Sequence, residues 1–160
     1  MPEIQRLRLD HGPAVLAFEE ENRAYFAASI PDRGDDFFAD FEARHRELLA
    51  EQEAGGCHFH VLVEDGGQVV GRINLVDVAD GSAELGFRMA EKSAGRGLAQ
   101  YAVRQIFDLA VTEYGLTTLR ARATLDNARS RAVLARTGFV PAGEIVLNGR
   151  PAITFTKALS

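Results

Sequence analysis

Residues 83–99, Ala-Glu-Leu-Gly-Phe-Arg-Met-Ala-Glu-Lys-Ser-Ala-Gly-Arg-Gly-Leu-Ala, constrain the fold of this chain more than any other stretch. Leu85, Phe87 and Met89 alternate with other residues as a strand does, and a Gly-Arg-Gly turn then opens directly into an amphipathic helix. The first N–H groups of that helix have no intrahelical partner, and its dipole places about half a positive charge there. Gly95 and Gly97 let an anion approach the backbone closely, while Lys92 and Arg96 add mobile positive charge. The segment therefore reads as a strand–loop–helix anion site of a size suited to a pyrophosphate.

Spacing excludes two other phosphate loops. A Walker loop needs Gly-Lys-Ser/Thr after its second glycine, and the dinucleotide fingerprint needs a third glycine three residues beyond Gly97. A second segment, residues 126–139, reads Asp-Asn-Ala-Arg-Ser-Arg-Ala-Val-Leu-Ala-Arg-Thr-Gly-Phe. Asn127 can cap a short helix there, with Ser130 at its third position and Gly138 as a left-handed stop. Lys92-Ser93-Ala94-Gly95-Arg96-Gly97 resembles the Arg/Gln-x-x-Gly-x-Gly/Ala loop of GCN5-related N-acetyltransferases, with lysine in the first place. Residues 126–139 resemble the Asn-x-x-Ser…Gly-Phe signature of that superfamily's ribosomal-protein alanine and serine acetyltransferase branch.

The resemblance covers most of residues 57–158 and implies a single domain over 1–160. The implied fold is of the α+β type, a mixed seven-stranded sheet whose fourth and fifth strands splay apart between flanking helices. It further implies that acetyl-CoA lies against Phe87, Arg88 and Met89 on the fourth strand and against Lys92, Ala94, Gly95, Arg96, Gly97, Leu98 and Ala99 at the loop and helix start. Asn127 and Ser130 would reach its pantetheine arm.

Bulk properties bound the chain differently. At 160 residues, with 46% hydrophobic and 26% charged residues, it is one ordinary globular domain by length. No stretch is apolar for long enough to span a bilayer, and the first residues have no signal-peptide pattern. The single cysteine, Cys57, excludes an internal disulfide and fits a cytoplasmic location. A net charge of −5 argues against non-specific nucleic-acid binding. Residues 1–65 carry 15 acids and 6 bases, residues 66–160 carry 8 and 12. The anion motifs thus lie in the basic part, and the acidic part is available to face a cationic amine.

Along the chain, Ile4 to Leu9 alternates as an edge strand, Pro13 opens a helix, and Asp35 can cap a second helix ending near Glu53. Residues 57–64, 68–78 and 82–89 read as strands joined at Asp65-Gly66-Gly67 and Asp80-Gly81. Leu98, Val103, Ile106, Phe107, Leu109 and Val111 are the apolar residues of the helix after the glycine loop. A strand over 117–124, the short capped helix and a final hairpin turning at Asn148-Gly149 complete the order.

The chemistry the resemblance implies is acyl transfer from acetyl-CoA to an amine. Glu84, on the fourth strand, is the candidate base, with solvent as the alternative. By the resemblance Ser130 is the candidate contact at the sulfur end; Leu134 stands where many superfamily members carry a tyrosine that protonates the thiolate, so Ser130 or water takes that role or no acid is needed. The branch resemblance points to a protein N-terminal α-amine as acceptor. A small-molecule amine and a non-catalytic acyl-CoA sensor remain open, and the family resemblance allows a homodimer. His58 and His60 share a strand face but lack a third ligand at metal spacing, so no metal is assigned. His11 and His45 read as surface positions.

Overall fold

The structure is a computed structural model and describes residues 1–159. The chain runs β1 (Glu3–Arg6), α1 (Gly12–Glu21), α2 (Arg23–Ala27), α3 (Asp35–Ala39), α4 (Phe41–Glu53), β2 (His58–Val63), β3 (Val69–Ala79) and β4 (Ser82–Met89). It continues with α5 (Leu98–Thr112), β5 (Thr118–Thr124), α6 (Ala128–Arg136), β6 (Val140–Leu147) and β7 (Arg150–Ala158). The order expected from the sequence holds, but each of the two early helices is broken in two. Asn22 (φ −104°, ψ 10°) leaves helical geometry because its side-chain amide donates to the Phe18 carbonyl. Asp40 (φ −105°, ψ 22°) interrupts the second helix, and Asp35 is its first residue rather than its cap, since Gly34 with φ +87° turns the chain in.

One sheet holds all seven strands in the order β1-β2-β3-β4-β5-β7-β6. Every neighbouring pair is antiparallel except β4 and β5. The parallel pair is short, matching Ser82 to Thr118, Ala83 to Leu119 and Glu84 to Arg120, and no further. Beyond that point β4 stays with β3 as far as Met89, and β5 stays with β7 as far as Thr124. The two strands are thus held apart by their other neighbours, and the sheet splays as the family resemblance predicts. The hairpin dipeptides Asp80-Gly81 and Asn148-Gly149 take positive φ at both residues, the geometry that matches strand twist.

The core lies on both faces of this sheet. Val15 and Phe18 of α1 pack on one face, and Leu98, Ala102, Val103, Ile106 and Ala110 of α5 on the other. Val111, one of the helix's apolar residues, faces solvent, because its angular position on α5 is off the stripe that Ala102 and Ala110 complete.

The histidines are structural. His11 and His45 are buried, contrary to their expected surface placement, because the chain needs polar partners where β1 turns into α1. The Arg8 N–H donates to His11 Nδ1 at 2.9 Å, and His45 Nε2 lies 3.0 Å from the Arg8 carbonyl. His58 and His60 are committed to Tyr114 at the C-terminal end of α5. The His58 ring stacks on the tyrosine with centroids 3.6 Å apart, and the Tyr114 hydroxyl is hydrogen-bonded to His60 Nε2 at 2.6 Å. Burial, with Arg6 and His58 nearby, pushes His60 down to about 4, while burial and Arg6 also lower His58. Both histidines are therefore neutral in the folded chain where the unfolded chain would already be protonated. Stability should fall as pH drops from 6.5 to about 4, by up to about 3 kcal/mol for His60. A melting series over that range should be steep in the native protein. It should be flatter in His60→Gln, which still accepts the Tyr114 hydroxyl but does not titrate.

Candidate active site

A cavity of about 730 Å³ opens where β4 and β5 part. The end of β4 (Phe87, Arg88, Met89), the glycine loop and the first turn of α5 form one wall, and Asn127 to Arg136 of α6 the other. Tyr25, Phe26, Ser29 and Ile30 close it from the α2 side. This third wall carries no motif and was not expected from sequence; it comes from the break at Asn22, which redirects α2 across the sheet.

The loop is built by its two glycines. Gly95 and Gly97 sit at φ +77° and +72°, and the space where a Cβ would stand is open at both. Not every N–H in the loop is available. Ala94 donates to the Glu91 carbonyl at 3.0 Å and Arg96 to the Ser93 carbonyl at 3.4 Å, which tightens the turn. The N–H groups of Gly95, Gly97, Leu98, Ala99 and Gln100 have no backbone partner among the described residues. Those donors converge at the positive end of a 15-residue helix and suit a phosphate. Ser93 adds a buried hydroxyl without a partner beside them. Lys92 and Arg96, by contrast, do not line the cavity, and Lys92 Nζ donates to Gln68 at 3.1 Å. The cations in the walls are Arg88, Arg129 and Arg136. Arg129 also reaches across to the Tyr25 hydroxyl and joins α6 to α2 over the cavity.

Arg88 is held by a buried cluster that the sequence did not announce. Arg72 on β3 and Arg88 on β4 stand directly opposite each other, an unfavourable placement of like charges. Glu19 of α1, 1% exposed, resolves it: Oε2 accepts from Arg72 at 2.9 Å, and Oε1 accepts from Arg88 at 2.9 Å and from Arg33 at 3.0 Å. Burial alone would push the Glu19 carboxyl up, but Arg88, Arg33 and Arg72 together hold it below the ordinary value. Burial also lowers Arg88 to about 10, still charged at neutral pH, with its guanidinium 4.6 Å from the Phe26 ring centre.

Asn127 does cap α6, its Oδ1 accepting the Ser130 N–H at 3.2 Å, and both residues line the cavity. Leu134 is a core residue, 1% exposed, and takes no part in the cavity. Glu84 lies outside the large cavity, at the last paired position of β4, and its Oε2 accepts from Arg122 at 2.9 Å. Arg122 lines a second, smaller cavity of about 240 Å³ between the turn after α2, the end of β5 and the β6–β7 hairpin. Ser29, Ile30 and Asn127 line both cavities, so the two adjoin.

Helix-terminal N–H donors without partners in the larger cavity, and a second cavity adjoining it, suit a phosphate-bearing cosubstrate beside a second reactant. Residues 3–140 match the Acetyltransferase (GNAT) domain family. A Bacillus subtilis (strain 168) protein called "Probable N-acetyltransferase YjcK" is 25% identical over 143 residues, 85% of this chain and 78% of that one. Among solved structures, ribosomal-protein-S5-alanine acetyltransferase from Vibrio fischeri superposes with a TM-score of 0.89 at 20% identity, covering 98% of this chain and 92% of that one. Spermidine N-acetyltransferase from Vibrio cholerae, in complex with CoA and spermine, gives 0.79 at 17% identity, covering 98% and 95%. The chain belongs to the GNAT acetyltransferase family. It is an N-acetyltransferase, and acetyl-CoA is its cosubstrate.

Two substitutions test the site's construction. Gly97→Asn and Gly97→Asp share the strain of a left-handed position, but only aspartate sets a negative charge at the phosphates. CoA affinity, measured by calorimetry, should fall on the order of tenfold more for Asp than for Asn, as expected for like charges a few ångström apart near a surface. Glu19→Gln leaves three guanidiniums without their counter-charge, one of them fully buried. Denaturant unfolding should show a loss of about 3–5 kcal/mol at pH 7. The stabilisation lost is the part present above the ordinary carboxylate pKa, because the folded value is the lower one.

Proposed function

We propose that this enzyme acetylates the N-terminal α-amine of a protein or peptide, with Glu84 accepting the amine's proton directly or through water. The observation that carries this reading is the pair of adjoining cavities. The larger suits the cosubstrate. The smaller is flanked by the turn after α2 and the β6–β7 hairpin and would admit the end of a chain, amine first. The TM-score of 0.89 with a ribosomal-protein alanine acetyltransferase supports it. A small amine as acceptor draws support from the likeness to the spermidine enzyme.

Acetyl-CoA would be held at its pyrophosphate by the N–H groups of Gly95 and Gly97 to Gln100, and along its arm by Asn127 and Ser130; it supplies the acetyl thioester. The roles of this chain's own groups follow from their places. Backbone N–H groups of β4 beyond Glu84 that face the gap toward β5 have no strand partner there and can receive the carbonyl oxygen as negative charge develops on it. As the amine nitrogen forms its bond to the acetyl carbon and the carbon–sulfur bond breaks, the nitrogen gives its proton to Glu84 or a water. The leaving sulfur takes a proton from water or the Ser130 hydroxyl, since Leu134 is apolar and buried. A thiol of ordinary pKa near 8.5 needs little help to leave.

Glu84→Gln keeps the side chain's shape and its capacity to accept from Arg122 but removes its basicity. The value of kcat/KM at neutral pH should fall by about 10²-fold, with CoA affinity almost unchanged. Raising the pH should recover part of the loss as more acceptor deprotonates in solution. Superimposable kcat/KM profiles against pH for the native and Glu84→Gln enzymes would assign the proton to solvent.

A further inference from the structure

The charged side chains that line the smaller cavity are positive. The acidic N-terminal part of the chain, available by sequence to face a cationic amine, places no carboxylate in its lining. Within that part, Asp32 and Asp35 both accept from Arg23, and Glu19 sits within its three arginines. The charged side chains that line the cavity are Arg122 and Arg150, among Ser29, Thr124, Asn127 and Asn148 as polar neighbours. Each arginine makes one hydrogen bond to a carboxylate outside the lining. Arg122 binds Glu84 at 2.9 Å and Arg150 binds Asp126 at 3.0 Å, which leaves most of each guanidinium's five donors free. Asp126 also accepts from Thr124 Oγ1 at 2.7 Å through Oδ1.

The two guanidiniums are also graded along one direction. Arg122 lies opposite Thr154 in the β5–β7 register, and Arg150 lies four residues farther along β7, at the outer end of the hairpin. Four strand residues span about 13 Å. Arg122 therefore stands beside Glu84, where the reactive amine must come, and Arg150 stands three or four residues of extended chain farther out. A volume of about 240 Å³ is below the usual range for whole small-molecule sites and fits the first residues of a chain.

We infer that the preferred acceptor is a peptide amine followed within its second to fourth residues by a carboxylate side chain, which Arg150 binds while Glu84 and Arg122 receive the amine end. The inference rests on the N-terminal reading above and adds the charge of the chain that follows the amine. A polycation of the spermidine type would set its distal ammonium against Arg150, with no lining carboxylate to receive it.

The test compares kcat/KM of the native enzyme on four acceptors: N-terminal peptides that are neutral, aspartate-bearing or lysine-bearing at residues two to four, and spermidine. The aspartate peptide should lead the neutral one by at least about tenfold at low salt, and the gap should shrink as ionic strength rises. In Arg150→Gln the aspartate peptide should fall to the neutral level, chiefly through KM, while the neutral peptide stays within about twofold. Arg150→Glu should favour the lysine peptide. Unaltered CoA binding by calorimetry certifies that each variant is folded, and the salt series on the native enzyme needs no variant. Equal rates on all three peptides, or a lysine peptide in front, would overturn the charge inference and leave the N-terminal reading intact. Turnover of spermidine with no peptide acetylated would overturn both.

Discussion

Three arginines meeting one buried carboxylate hold the working end of this molecule together. Without Glu19, the cross-strand pair Arg72 and Arg88 would set like charges face to face inside the protein, and β3 and β4 would be poorly matched where the active site requires them. With it, one side chain of α1 fixes the end of β4, the interior of β3 and, through Arg33, the segment that follows α2. Arg88 in turn presents its face to Phe26, which lines the larger cavity. Through these contacts α1 is tied to two of that cavity's walls, the end of β4 and the α2 side.

A second tie, one residue past the end of α1, reaches the phosphate loop. The Asn22 amide donates to the Phe18 carbonyl, and its oxygen accepts the Glu91 N–H at 3.0 Å, just where the chain leaves β4 for the glycine turn. One buried side chain therefore both breaks the first helix and anchors the start of the loop. Breaking the helix brings Tyr25 and Phe26 over the cavity, and anchoring the loop aims the free N–H groups of α5 into it. The tyrosine–arginine contact between α2 and α6 then spans the same opening from above.

The splay separates Glu84 from the larger cavity. Paired to β5 only as far as Glu84, β4 keeps its single carboxylate at the fork and gives its remaining length to the cavity. The pairing of Glu84 with Arg122 connects the fork to the smaller cavity. Placing a charge pair at the point where two strands part lets partly exposed side chains keep solvent on one side and the reacting groups on the other.

Local chemistry made much of this legible. Glycines at loop positions, a capping asparagine, the Asp-Gly and Asn-Gly hairpins and the alternation of strands all act over a few residues, and they acted as the sequence indicated except at the first strand, which ends at Arg6 before a tight turn over Leu9–His11. The motif residues Gly95, Gly97, Asn127 and Ser130 accordingly reached the same cavity. Partners distant in sequence were not legible. Glu19 and Arg88 lie 69 residues apart, His60 and Tyr114 lie 54 apart, and nothing in their neighbourhoods marks them as pairs. The same limit placed His11 and His45 at the surface and gave Lys92 and Arg96 a place in the cavity they do not line. A charged or ionisable side chain takes its role from whatever the fold packs against it, whereas a glycine or a cap takes its role from its own backbone. Sequence alone therefore determined the strand–loop–helix frame and its anion site, and the tertiary structure alone decided which charges face the substrates.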